Sequence, residues 1–131
     1  MFKLTQNLKY SIGLIILMFI LSSPGCKKDD FRTKYYGEYR FTVHVQYQSF
    51  LYYIDSTYII NGGVRAGSSS RGILINWQEG AYGSYPSLSE DGTFIGDNCK
   101  GEFKDVNTVI FSVSYHHTST DTYYNVTGTR N

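Results

Sequence analysis

The chain has 131 residues, with 12 Lys and Arg against 11 Asp and Glu, a formal charge of +1 and 17% aromatic residues. That near-neutral balance excludes the basic stripe needed to hold nucleic acid, and the length holds one small domain rather than several. Two cysteines are too few for a disulfide scaffold.

Lys3 and Lys9 lie in a short basic start, followed by an apolar run from Ile12 to Leu21 interrupted only by Gly13. A run of about ten residues is half of the roughly twenty needed to cross a hydrocarbon core. Ser22, Ser23, Pro24 and Gly25 follow, then Cys26. Basic start, short apolar run and small residues are the layout of a secretory signal rather than a membrane anchor. With Cys26 directly after Gly25, the segment resembles a bacterial lipoprotein signal, although Ser23 stands where the usual box has Leu. Lys27-Lys28-Asp29-Asp30 is similar to the export tag of surface lipoproteins of the Bacteroidota. The resemblance implies cleavage before Cys26, lipidation of that thiol, and attachment to the outer membrane. It implies the cell surface as the location, with the periplasmic face as the alternative.

The expected division is a signal peptide over 1–25, a lipidated Cys and flexible tether over 26–36, and a β domain over 37–131. Loss of Lys3 and Lys9 leaves ten basic residues against eleven acidic ones in the remainder. A tether of about eleven residues reaches about 35–40 Å at full extension. Cys99 then has no disulfide partner. It reads as a small half-buried residue near a turn, with a reactive thiol as the sharper alternative.

From Tyr39 the chain alternates. Tyr39, Phe41, Val43, Val45 and Tyr47 interleave with Arg40, Thr42, His44, Gln46 and Gln48, a period of two that gives one apolar and one wet face. Ile73, Ile75 and Trp77 repeat the pattern, as do Val109 through Tyr115 and Tyr124 through Gly128. Asn61-Gly62-Gly63, Gly67 through Ser70, Glu90-Asp91-Gly92 and Asp105-Val106-Asn107 carry turn chemistry. No dozen residues after the leader show a capped helical stripe. The spacing predicts about eight strands: 37–48, 51–62, 71–79, 81–88, 92–96, 99–104, 108–117 and 121–130. Short connections favour an antiparallel meander, closed as a small up-and-down barrel or curled as a two-sheet sandwich, of lipocalin- or streptavidin-like architecture. Tyr36-Gly37-Glu38-Tyr39 at the start and Val126-Thr127-Gly128-Thr129-Arg130 at the end resemble small, mostly uncharacterised Bacteroidota lipoproteins. That resemblance implies the fold and no particular activity.

Signals for catalysis are thin. Glu90/Asp91 and Glu102/Asp105 flank turns, where carboxylates are ordinary solvated surface rather than a facing glycosidase pair. His116 and His117 are adjacent in a strand and point to opposite faces, so one metal cannot take both without a bulge. His44 and His116 meet only if their strands pair. No phosphate-binding glycine loop or nucleophile motif is present. The expectation is a noncatalytic chain that needs no cofactor or metal.

Tyrosine is the richest resource, with twelve of thirteen after the leader. Its flat apolar face and hydroxyl suit stacking on sugar rings and adaptable recognition, and it also suits the half-wet face of a thin β domain. Tyr39, Tyr47 and Tyr124 fall on core registers. Trp77, Tyr82, Tyr85, Arg65 and Arg71 form the candidate ligand-binding group, an aromatic and cationic mouth if their loops converge. Asp55-Ser56-Thr57 fits the short O-glycosylation pattern of those bacteria. The sequence therefore points to a lipid-anchored module that binds a glycan or an envelope protein at the cell surface. A structural subunit of an outer-membrane complex is the alternative. An enzyme inhibitor ranks below it, because the Ser-Gly-x-x-Tyr type signature of small β-barrel lysozyme inhibitors is missing.

Overall fold

Strict alternation of side chains, with Tyr39, Phe41 and Val43 buried and Glu38, Arg40 and Thr42 exposed, sets the inner and outer faces of the first strand. The computed structural model describes residues 29–79 and 83–131; the leader, Cys26 and Tyr82 lie outside them. Eight strands follow in chain order: β1 (Gly37–Ser49), β2 (Tyr53–Ala66), β3 (Ile73–Asn76), β4 (Ser87–Leu88), β5 (Thr93–Ile95), β6 (Cys99–Phe103), β7 (Thr108–His117) and β8 (Thr120–Arg130). Among the described residues no helix is long and apolar enough to cross a membrane.

The sheet order β3-β2-β1-β8-β7-β6-β5-β4 is the antiparallel meander that short connections favour, joined by β1 pairing with β8. Its two ends meet at a seam. Ile75 exchanges two backbone hydrogen bonds of 2.9 Å with Ser84, Ile73 N–H donates to Pro86, and Leu88 N–H donates to Arg71. The result is a nearly closed barrel.

Of the region expected as strand 81–88, the described residues 83–88 pair only at this seam and in the two residues of β4. β2 runs on to Ala66, straight through the glycines that read as a turn. Gly62 explains both departures. A Cβ there would lie 1.8 Å from the backbone oxygen of Asn76, so the chain leaving β3 crosses the inner face of β2 at this point. Trp77 thereby drops into the core, where its Nε1–H donates to Ser84 Oγ at 2.9 Å.

Aromatic rings fill the interior. Phe41 and Trp77 each meet Phe111 edge-on, at 6.2 and 5.8 Å. One end is plugged by a 3-10 turn, Thr33–Tyr35. Tyr35 stacks on Phe103 at 4.1 Å, and its carbonyl accepts from the Tyr39 hydroxyl at 2.9 Å. Arg32 Nη1 donates to the carbonyls of Ser69 and Gly72, and Arg130 reaches back to those of Lys34 and Tyr36. Residues 30–36 are therefore folded onto the barrel, whereas the sequence reading had them as flexible tether. At the other end, β1, β2, β7 and β8 extend past the short strands as a four-stranded ribbon, and no element among the described residues closes the barrel.

Candidate functional site

Register decides what lines the open end. Val43 pairs with Tyr58 and Val126, Val45 with Ser56 and Tyr124, and Tyr47 with Ile54 and Thr122. Because paired residues share a face, the inner surface continues from the core into a cup of Tyr47, Tyr58, Tyr115 and Tyr124. Trp77 forms its floor, 5.0 Å edge-on from Tyr124, which meets Tyr115 at 6.1 Å. Tyr52 folds back from the β1–β2 turn to stack on Tyr47 at 5.6 Å. Tyr58 remains 39% exposed because no described strand covers its half of β2.

The cup carries neutral donors. Partial burial pushes the Tyr58 and Tyr124 phenols above their ordinary value, helped in each case by a neighbouring tyrosine. Hydrogen bonding with Tyr52 does the same for Tyr47. At neutral pH these hydroxyls are protonated, so the surface offers ring faces ringed by O–H groups that both donate and accept. Such a surface matches a polyhydroxylated ring, which needs stacking on one face and hydrogen bonds at its rim.

The residues singled out from the sequence do not converge. Trp77 is buried in the floor and Tyr85, 67% exposed, points outward from the seam. Arg65 and Arg71 lie toward the plugged end, where Arg65 Nη2 meets Glu38 at 3.2 Å. Tyr82 is outside the described residues. None of Tyr47, Tyr58, Tyr115 and Tyr124 is in the group expected from the sequence, where Tyr47 and Tyr124 read as core. The signal was available in the even-numbered series Ile54, Ser56, Tyr58, Ile60, once β2 is read as a ribbon edge rather than a covered strand.

Other features are structural. His44 pairs with Asp55 at 2.7 Å and His116 with Asp121 at 2.9 Å, on separate parts of the outer wall. His44, Gln46 and Tyr53 hold the Asp55 carboxyl below the usual range. Among the described residues no group of three His, Cys, Asp or Glu could hold a metal. Cys99 is buried without a disulfide, and burial pushes its thiol up to about 11, which is the inert of its two readings. A broad trough of about 830 Å³ runs along the outer wall. Its lining mixes the strand residues Thr42, Ser112, Asn125 and Thr127 with Ile95, Ile110, Phe94 and Phe111, and it holds none of the tyrosines of the cup.

No protein-family model matches the chain, and no curated protein matches it. Among solved structures it is similar to the S-type phycobiliprotein lyase CPES from Guillardia theta, at 13% identity and a TM-score of 0.37, over 82% of this chain and 98% of that one. The expectation of a noncatalytic chain is not borne out: the protein it is similar to is named a lyase. No ligand, reaction or residue role passes to this chain from a likeness of that size.

Proposed function

We propose that the chain is a lipid-anchored outer-membrane lipoprotein whose barrel binds a glycan at the cell surface through the tyrosine cup. The leader ending at Cys26, with Lys27-Lys28-Asp29-Asp30 behind it, supports the address. The observation that carries the binding reading is the inner face of the open ribbon, where Tyr47, Tyr58, Tyr115 and Tyr124 stand over Trp77 without a described strand to cover them. Tyrosine offers large contact area at low entropic cost, so a half-exposed cluster on a rigid sheet is preorganised for stacking.

Titration calorimetry with host and capsular polysaccharides tests it. Tyr58→Ala/Tyr124→Ala is expected to weaken binding at least about tenfold, the loss of one or two stacking contacts. Arg65→Ala, far from the cup, is expected to leave it unchanged. Absence of heat with every glycan would remove the reading.

A second reading, an accessory subunit of an envelope complex, draws on Phe50 and Leu51. They stand 94% and 84% exposed at the tip of the β1–β2 hairpin, where turn chemistry ordinarily calls for polar residues. Recovery of a stoichiometric membrane partner from solubilised envelope would favour it.

A further inference from the structure

The outer edge of β2 between Tyr53 and Gly62 has no partner strand among the described residues, since β3 pairs only with Gly63 through Ala66. The seam fixes which of its backbone groups are unused. Ile75 exchanges both its hydrogen bonds with Ser84, and Ile73 N–H faces Pro86, so Leu74 and Asn76 are the β3 residues that bond to β2. Their partners Arg65 and Gly63 therefore face β3. By the two-residue period, Asn61, Ile59, Thr57, Asp55 and Tyr53 turn their N–H and C=O groups to the open edge, while the even-numbered residues bond to β1.

A long unpaired edge is ordinarily blunted by Pro, Lys or a bulge. This one has none of them. The β1–β2 register runs unbroken from Gly37↔Val64 to Gln48↔Tyr53, and the edge's single charge, Asp55, is engaged by His44, Gln46 and Tyr53.

We propose that this edge pairs with the same edge of a second copy of the chain, antiparallel about a two-fold axis at Thr57. The sequence is self-complementary in that register. Thr57 meets Thr57, Asp55 meets Ile59 and Tyr53 meets Asn61, so every edge-facing residue finds an edge-facing partner and no like charges oppose. The pairing supplies about ten backbone hydrogen bonds, one for each N–H and each C=O of those residues. On the inner face Ile54, 47% exposed, gains Ile60 as its neighbour, and Ser56 lies opposite Tyr58. The two cups then open on the same side of one continuous sheet. Tyr58 then lies both in the cup and beside the new strand, and the pairing is tested without ligand.

Sedimentation velocity and cysteine trapping of the full chain in nonionic detergent test it, with the parent chain as the control for Cys26 and Cys99. In the proposed register the two Thr57 Cα atoms lie about 5.5 Å apart, within disulfide reach, whereas Ser56 faces Tyr58 and its own copy is beyond about 7 Å. Thr57→Cys is expected to trap a dimer under mild oxidation and Ser56→Cys is not. Thr57→Pro removes an N–H that faces only the edge, so the β1 ladder survives while dimer dissociation rises at least about tenfold. Ile59→Lys serves as a second variant with the same expectation, should Thr57→Pro fail to fold. A parent chain that stays monomeric over a wide concentration range would overturn the proposal. So would equal trapping at positions 56 and 57, a folded edge variant that still dimerises, or trapping of Thr57→Cys onto a different protein.

Discussion

Cys99 sits on β6 facing inward, opposite Val113, with the Ser84 side chain beside it. Burial holds the thiol neutral, and its titration moves from 9.0 to about 11. The sign of the resulting pH dependence follows from linkage. A group that stays protonated longer in the folded state contributes its stability in full below the unfolded value and loses it as pH rises through the folded one. Two units correspond to at most about 2–3 kcal/mol. The urea midpoint is therefore expected to fall between pH 9 and pH 11. Cys99→Ala should delay that fall to about pH 10, where Tyr39, Tyr58 and Tyr124, whose phenols are also pushed up in the folded chain, begin to ionise in the unfolded one. An unchanged onset in Cys99→Ala would mean that the sulfur is wetter than its surroundings imply.

At the scale of elements, the crossing of β2 by the chain leaving β3 makes the barrel asymmetric. Two adjacent glycines experience it differently. A Cβ on Gly62 would collide with the Asn76 carbonyl at 1.8 Å, whereas one on Gly63 would meet the Gly37 carbonyl at 3.1 Å. Gly62→Ala is expected to cost about 2–3 kcal/mol, the upper part of the range for overpacking an interior, and to disturb the near-ultraviolet signal of Trp77. Gly63→Ala should cost about 1 kcal/mol or less. Equal losses in urea melts would contradict the crossing. The same residues show where sequence reading runs out. Alternation from Tyr39 to Tyr47 and from Val109 to Tyr115 made the long strands legible, because each has one dry face and one wet one. Asn61-Gly62-Gly63 has the composition of a turn, yet it lies within β2. Glycine marks a close approach of backbone as readily as a reversal, and only the position of Asn76 distinguishes the two. The cup was half legible for a related reason. Tyr47 and Tyr124 fall on core registers, but which core positions remain uncovered depends on β3 ending at Asn76.

Across the whole molecule, the plugged and open ends lie about 40 Å apart, the length of the thirteen residues of β1. The described chain begins at the plugged end, where Arg32 and Tyr35 bind residues 30–36 to the barrel. Under the proposed acylation of Cys26, only the few residues before Asp30, about 10–14 Å at full stretch, separate the lipid from the part of the chain held on the barrel. On that proposal, so short a leash would hold the plugged end at the bilayer and turn the tyrosine cup, with Phe50 and Leu51, away from the lipid. Single cysteines at Ser119, in the β7–β8 turn beside the cup, and at Val106, in the β6–β7 turn at the plugged end, report this orientation. In intact cells a membrane-impermeant maleimide is expected to label Ser119→Cys several-fold faster than Val106→Cys, with the difference vanishing in detergent. Equal rates in cells would show a domain lying on its side, and labelling of both only after lysis would place it within the envelope. Only the first outcome leaves the cup free to meet large glycans outside the cell, because a ligand that cannot cross the outer membrane must find the open end already facing it.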